Sequence, residues 1–106
     1  MNLSIDARGQ LDLLLLTVLA QRPAHGYRVI EQLREATSGG FDLPEGTVYP
    51  ALHRLERDGL LESSWSEGSG RRRRVYAITE RGRSALEGKR REWSAFMGAM
   101  QAVVAT

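Results

Sequence analysis

Leu60-Leu-Glu-Ser-Ser-Trp-Ser-Glu-Gly-Ser-Gly-Arg-Arg-Arg-Arg-Val-Tyr-Ala-Ile78 reads as two strands around a turn. Leu60 to Ser66 and Arg72 to Ile78 supply the strand-like runs, and the Gly/Ser-containing stretch between them supplies the turn. Leu61 and Trp65 share one parity, Tyr76 and Ile78 another. The tip of this hairpin carries Arg71, Arg72, Arg73 and Arg74, with no acidic residue from Gly68 to Arg74. Guanidinium groups are always charged and grip phosphate in a bidentate fork, so the tip suits a polyanion. Side chains alternate along a strand, so the four arginines cannot all face one way. One pair is expected on phosphate or in a minor groove and the other along the sheet. Ser69 and Gly70 offer hydroxyl or backbone N–H groups to the same phosphates.

Working upstream, Val48, Leu52 and Leu55 recur at i, i+4 and i+7 with Ala51 beside them, which predicts a helix ended by Gly59. Its start has two readings. Leu43-Pro44-Glu45 places a proline and then an acid at a helix N-terminus, but this leaves Pro50 in the interior, with Gly46 four residues back easing a kink. Alternatively Thr47 is the N-cap and Pro50 lies in the first turn. The other side of this helix bears Thr47, Tyr49, Pro50, His53, Arg54 and Arg57. A second pattern runs from about Gly26 to Thr37, with Tyr27, Ile30, Leu33 and Ala36 near one side, stopped by Ser38-Gly39-Gly40. A first runs over roughly 8–21. Leu11, Leu14, Leu15, Val18 and Leu19 form its stripe, Leu13 and Leu16 lie off it, and Arg22-Pro23 ends it. A helix so apolar all round needs a second burial surface.

Downstream, Thr79 is a good N-cap with Glu80 in the first turn. The helix it starts reaches to about Val104, roughly 38 Å at 1.5 Å per residue. Leu86, Trp93, Met97, Met100 and Val104 are spaced 7, 4, 3 and 4, an a/d seam weakened at Arg90. So small a domain has little surface to cover such a seam, and a second copy of the chain is the economical partner. The fold class is therefore mainly α with a small β-hairpin: a winged helix-turn-helix over 1–78 and a C-terminal dimerisation helix over 79–106.

Composition narrows the function. The net charge of +2 hides an asymmetry: residues 1–53 sum to −2 and residues 54–106 to +4. Fourteen of the fifteen basic residues are arginine, which favours bidentate phosphate or base contacts. There is no cysteine, hence no disulfide framework, and with only His25 and His53 beside that no metal site or cofactor is expected. No Ser-His-Asp order, phosphate loop or acid pair is evident, so no enzyme is expected. The run Leu13–Leu16 is far too short to span a bilayer and nothing reads as a signal peptide, which points to the cytoplasm with no membrane partner.

At Gly46-Thr-Val-Tyr-Pro-Ala-Leu-His-Arg-Leu-Glu-Arg-Asp-Gly-Leu-Leu61 the chain resembles the PadR family of bacterial transcriptional regulators. His25-Gly-Tyr27 is similar to the start of that family's second helix, and Gly70 to Gly82 to its wing and the beginning of its last helix; the resemblance covers about residues 10–95. The single C-terminal helix looks like the short subfamily. The resemblance implies a homodimeric repressor on an inverted-repeat operator in double-stranded DNA, relieved by a small planar hydrophobic or aromatic effector. It implies that the Thr47-to-Pro50 region enters the major groove and that Gly70 to Arg74 belong to the wing. From helix geometry, Thr47, Tyr49, His53 and Arg54 are candidates for contact with base edges or phosphate, as are Ser69 to Arg74 in the wing, and Tyr27 either touches the backbone or packs in the core. The competing reading buries Tyr49 by half and pairs Arg54 and Arg57 with Glu56, Asp58 or Glu62. The resemblance also implies a hydrophobic channel between subunits at Trp93, for which Phe96, Met97, Leu13, Leu16 and Thr17 are the candidate lining; simple packing of Trp93 in the dimer interface is the alternative.

Overall fold

The structure, a computed structural model, describes residues 8–106; the first residues of the expected 1–78 unit lie outside the described residues. The order is α1 (Arg8–Gln21), β1 (Ala24–His25), α2 (Gly26–Ala36), α3 (Glu45–Arg57), β2 (Leu61–Ser66), a single 3₁₀ turn (Gly68–Gly70), β3 (Arg73–Ile78) and α4 (Glu80–Val104). This is the mainly helical winged helix-turn-helix with a long final helix that the patterning predicts.

α1 runs through the middle. It packs against α2, α3, β3 and α4, so more than one stripe is enclosed. Leu11, Leu15, Leu16, Val18 and Leu19 are all buried, while Leu13 and Leu14 are only partly covered. Leu16 thus departs from expectation: it is a core residue with no exposure, not part of an effector cavity. The second burial surface that α1 needs is supplied here largely by α4.

α2 starts at His25, whose side chain caps the helix by accepting the Arg28 N–H at Nδ1, 3.2 Å. It stops where Ser38 and Gly39 take φ of 50° and 85°, a left-handed turn that suits glycine. Thr37 Oγ1 braces the turn, donating to the Leu33 carbonyl at 2.7 Å and accepting from Phe41 N at 2.8 Å. α3 resolves the proline question in favour of the early start. Thr47 N and Val48 N donate to the Pro44 carbonyl at 3.0 and 3.1 Å, and Pro50 is interior. Gly46, whose carbonyl the proline ring must pass, has open space around its Cα. The C-terminus is a Schellman closure: Gly59 (φ 82°) donates to the Glu56 carbonyl at 3.0 Å and Leu60 to that of Leu55 at 2.9 Å.

The sheet is antiparallel in the order β1-β3-β2. The third strand, β1, is an addition to the expected hairpin; Ala24 pairs with Tyr76 and His25 with Val75. Two residues are too few to show alternation, so nothing in the sequence announces it. On the hairpin, Leu61 faces Ile78, Ser63 faces Tyr76 and Trp65 faces Arg74. Leu61 and Tyr76 are buried, but Trp65, of the same parity, is 53% exposed because the hairpin outgrows the body. Thr79 then caps α4, accepting from Gly82 N at 3.0 Å and donating to the Gly59 carbonyl at 2.7 Å. A Cβ on Gly82 would stand 2.1 Å from the Leu60 carbonyl oxygen, so glycine is what lets α4 abut the turn after α3. Leu86 is buried, whereas everything from Arg90 to the end of α4 is exposed.

Candidate nucleic-acid interface

α3, the first residues of α2, and the wing formed by β2, β3 and their turn converge on a cleft of about 640 Å³. Tyr27, Tyr49, Glu31 and Glu45 line one side and Arg71, Arg72, Arg73 and Arg74 the other. Thr47 and Pro50 are exposed on α3, and Tyr27 is 51% exposed. Tyr49 is half-buried because its ring lies on the backbone of Gly26, where an added Cβ would come within 2.6 Å of Cε1. The glycine at the start of α2 therefore seats the tyrosine of α3. The side chain of Ser69 lies outside the described residues. Gly70 takes a left-handed φ of 72° at the tip, and Arg71 N donates to the Gly68 carbonyl at 3.3 Å.

The wing arginines divide between the two faces of the sheet, as strand parity requires. Arg73 lies on the face of His25 and places its NH1 3.0 Å from Nε2 of that ring. The imidazole is thus addressed by two donors, the Arg28 amide at Nδ1 and Arg73 at Nε2. A neutral ring has one acceptor nitrogen, so it can accept from only one of the two. Burial holds the His25 pKa below its ordinary value, and the charge of Arg73 lowers it further. On the opposite face, Arg74 Nε donates to Ser63 Oγ at 2.8 Å and its NH2 lies 3.7 Å from Glu56. Ser63 in turn donates to Glu56. Arg72 lies 3.9 Å from Glu67. His53 is exposed on the wing side of α3, its ring centroid 6.5 Å from that of Tyr76.

Arg54 does not join this surface. Its guanidinium makes a bidentate pair with Asp12 of α1 at 2.7 and 3.0 Å, with side-chain exposures of 16% and 10%. It ties α3 to α1 and does not line the cleft. The sequence-local partners Glu56, Asp58 and Glu62 are not used; the carboxylate that is used lies 42 residues upstream.

The second set of expected residues is only partly brought together. Leu13, Trp93 and Phe96 line an open depression of about 340 Å³ with Gly9, Gln10, Lys89 and Glu92. The Trp93 and Phe96 rings stand 5.8 Å apart. Leu16 is in the core, as above. Thr17 turns its hydroxyl back to donate to the Leu13 carbonyl at 2.6 Å. Met97 is 43% exposed one turn further along α4 and does not line the depression.

Among the described residues no group of three or more His, Asp or Glu could hold a metal, and no helix is long and apolar enough to cross a membrane. The model of the Transcriptional regulator PadR-like family matches residues 15–88, which span the second half of α1, α2, α3, the wing and the first turns of α4. The chain belongs to the PadR-like family. A PadR regulator binds DNA and is not an enzyme. Among its relatives is a transcriptional regulator of Mycobacterium tuberculosis, Rv3488, 42% identical over 84 residues that cover 79% of this chain and 76% of that protein. A PadR family transcription regulator from Clostridium difficile superposes with a TM-score of 0.79 at 36% identity, covering 89% of this chain and 97% of the other. A transcriptional regulator from Clostridium thermocellum reaches a TM-score of 0.83 at 29% identity, covering 90% and 93%. Sequence reasoning missed the roles of Gly26, which seats Tyr49, and of Trp65, which lies under Arg72 and Arg74; it also missed Asp12, which keeps Arg54 off this PadR surface.

Proposed function

We propose that this regulator is a cytoplasmic repressor that acts as a homodimer on an inverted-repeat operator. The reading rests above all on α4. Beyond the buried Leu86, its seam carries Trp93, Met97, Met100 and Val104, flanked by Phe96 and Val103, all exposed by 39% to 73%. Burying such a stripe against its copy is the obvious source of stability for the free end of a long helix. In this view residues 79–106 serve assembly and residues 1–78 serve DNA. Two-fold symmetry then sets two α3 helices into successive major grooves about 34 Å apart, and the operator mirrors that symmetry. Thr47, Tyr49 and Pro50 meet the groove, His53 approaches its edge, and Tyr27, Gly70 and the wing arginines take the backbone. The depression at Leu13, Trp93 and Phe96 lies beside the seam and suits a small planar hydrophobic effector, whose binding would release the operator.

The decisive experiment is a Tyr49→Ala/Arg72→Ala/Arg73→Ala variant titrated with operator DNA across a salt series. It should still dimerise, lose at least about a hundredfold in affinity at low salt, and show a shallower dependence of log K on log salt by about 0.9 per lost phosphate contact. A variant that dimerises and binds like wild type at every salt concentration would mean the DNA face is misplaced.

A further inference from the structure

Trp65 is a large apolar side chain that the core does not use. It lies on the hairpin face where Leu61 and Tyr76 are buried, yet more than half of it is exposed. The ladder decides its neighbours. Arg74 is directly opposite, and Arg72, of the same parity, is within reach as the diagonal neighbour. Both guanidiniums lie over the indole, with Cζ 4.4 Å (Arg72) and 5.3 Å (Arg74) from the ring centroid. Both distances fall within the roughly 6 Å at which the ring face attracts a cation. Two like charges on one strand face repel each other, and a shared ring with a negative face offsets that repulsion.

The choice of an aromatic ring matters. A carboxylate would hold an arginine through its N–H edge and so occupy the donors that phosphate needs. An indole holds the flat face and leaves that edge available. Building on the DNA-binding reading above, we propose that Trp65 is a positioning residue for DNA recognition. It stacks both guanidiniums side by side. Arg72, approached among the described residues only by Glu67, at Nε from 3.9 Å, presents its terminal N–H edge. Arg74, turned at Nε to Ser63 and at NH2 to Glu56, backs it. Together they seat a phosphate of the DNA backbone on the wing face opposite Arg73.

The test uses the full chain and a mixed-sequence duplex about three helical turns long, so that backbone contacts dominate. Wild type is compared with Trp65→Leu, which keeps apolar bulk without the ring, and with Trp65→Phe, which keeps a ring. Trp65→Leu should bind about five- to tenfold more weakly, with the salt slope reduced by about one phosphate contact. Trp65→Phe should retain most of the affinity, and both should match wild type in thermal midpoint. In an Arg72→Ala/Arg74→Ala background, Trp65→Leu should add little. Three results overturn the proposal while leaving the DNA-binding reading intact: Trp65→Leu binding like wild type at every salt concentration, a weakened variant with an unchanged salt slope, or a loss that tracks a lowered thermal midpoint. Wild-type protein that ignores the duplex even at low salt would remove both readings together.

Discussion

A carboxylate and a guanidinium taken out of water together are costly to separate. Asp12 is 7% exposed and holds Arg54 by two hydrogen bonds, which raises the arginine pKa further, mainly through the bond itself. Asp12→Ala should therefore destabilise the chain by about 3 kcal/mol in chemical denaturation, because it strands a half-covered charge. Replacing both residues, Asp12→Leu with Arg54→Met, should cost much less, since no unpaired charge remains. His25 gives a pH signature of the opposite kind. Burial and Arg73 depress its folded pKa, so between that value and the unfolded value of about 6.5 the unfolded chain binds more protons. The contribution is complete above about pH 6.5 and is lost as pH falls through the folded value. Denaturation midpoints measured from pH 7.5 down to pH 5 should decline, and His25→Asn, which can still cap α2 without titrating, should flatten the decline. An unchanged slope in that variant would place the effect elsewhere.

Among the elements, α3 and α4 are each defined by one unusual residue. Pro50 sits inside α3, which therefore lacks one backbone bond near its start, on the side that faces the cleft. Gly82 lets the first turn of α4 press on Leu60, so the wing, α3 and α4 meet at one point through Thr79 and Gly59. Past that anchor the side chains of α4 are exposed from Arg90 onward, and beyond Phe96 none lines the depression shared with α1. A charge placed there should therefore leave the winged-helix fold alone and act only on assembly. Met97→Asp is expected to halve the mass seen by light scattering at micromolar concentration and to weaken DNA binding, while the far-ultraviolet signature of the body persists. A Met97→Asp protein that remains dimeric would move the subunit contact off this seam.

For the whole molecule, most helix and hairpin boundaries were legible because periodicity, caps and turn residues agreed; the start of α3, where Pro44 and Thr47 both fitted, was not. Thr79, Gly59 and the Ser38-Gly39-Gly40 stop each mark an end that the structure keeps. What stayed hidden was non-local. β1 is too short to alternate, Asp12 meets Arg54 across 42 residues, and the burial of Leu16 follows from four elements closing around α1. The cationic tip was plain in the sequence, but the division of its arginines needed the register. That division carries a thermodynamic corollary. Arg72 and Arg74 lie over an indole, whereas a freely waving arginine carries about 2 kcal/mol of rotamer entropy. Side chains already quieted before a ligand arrives surrender less freedom on docking, an economy the stacked pair would bring to any anion it meets.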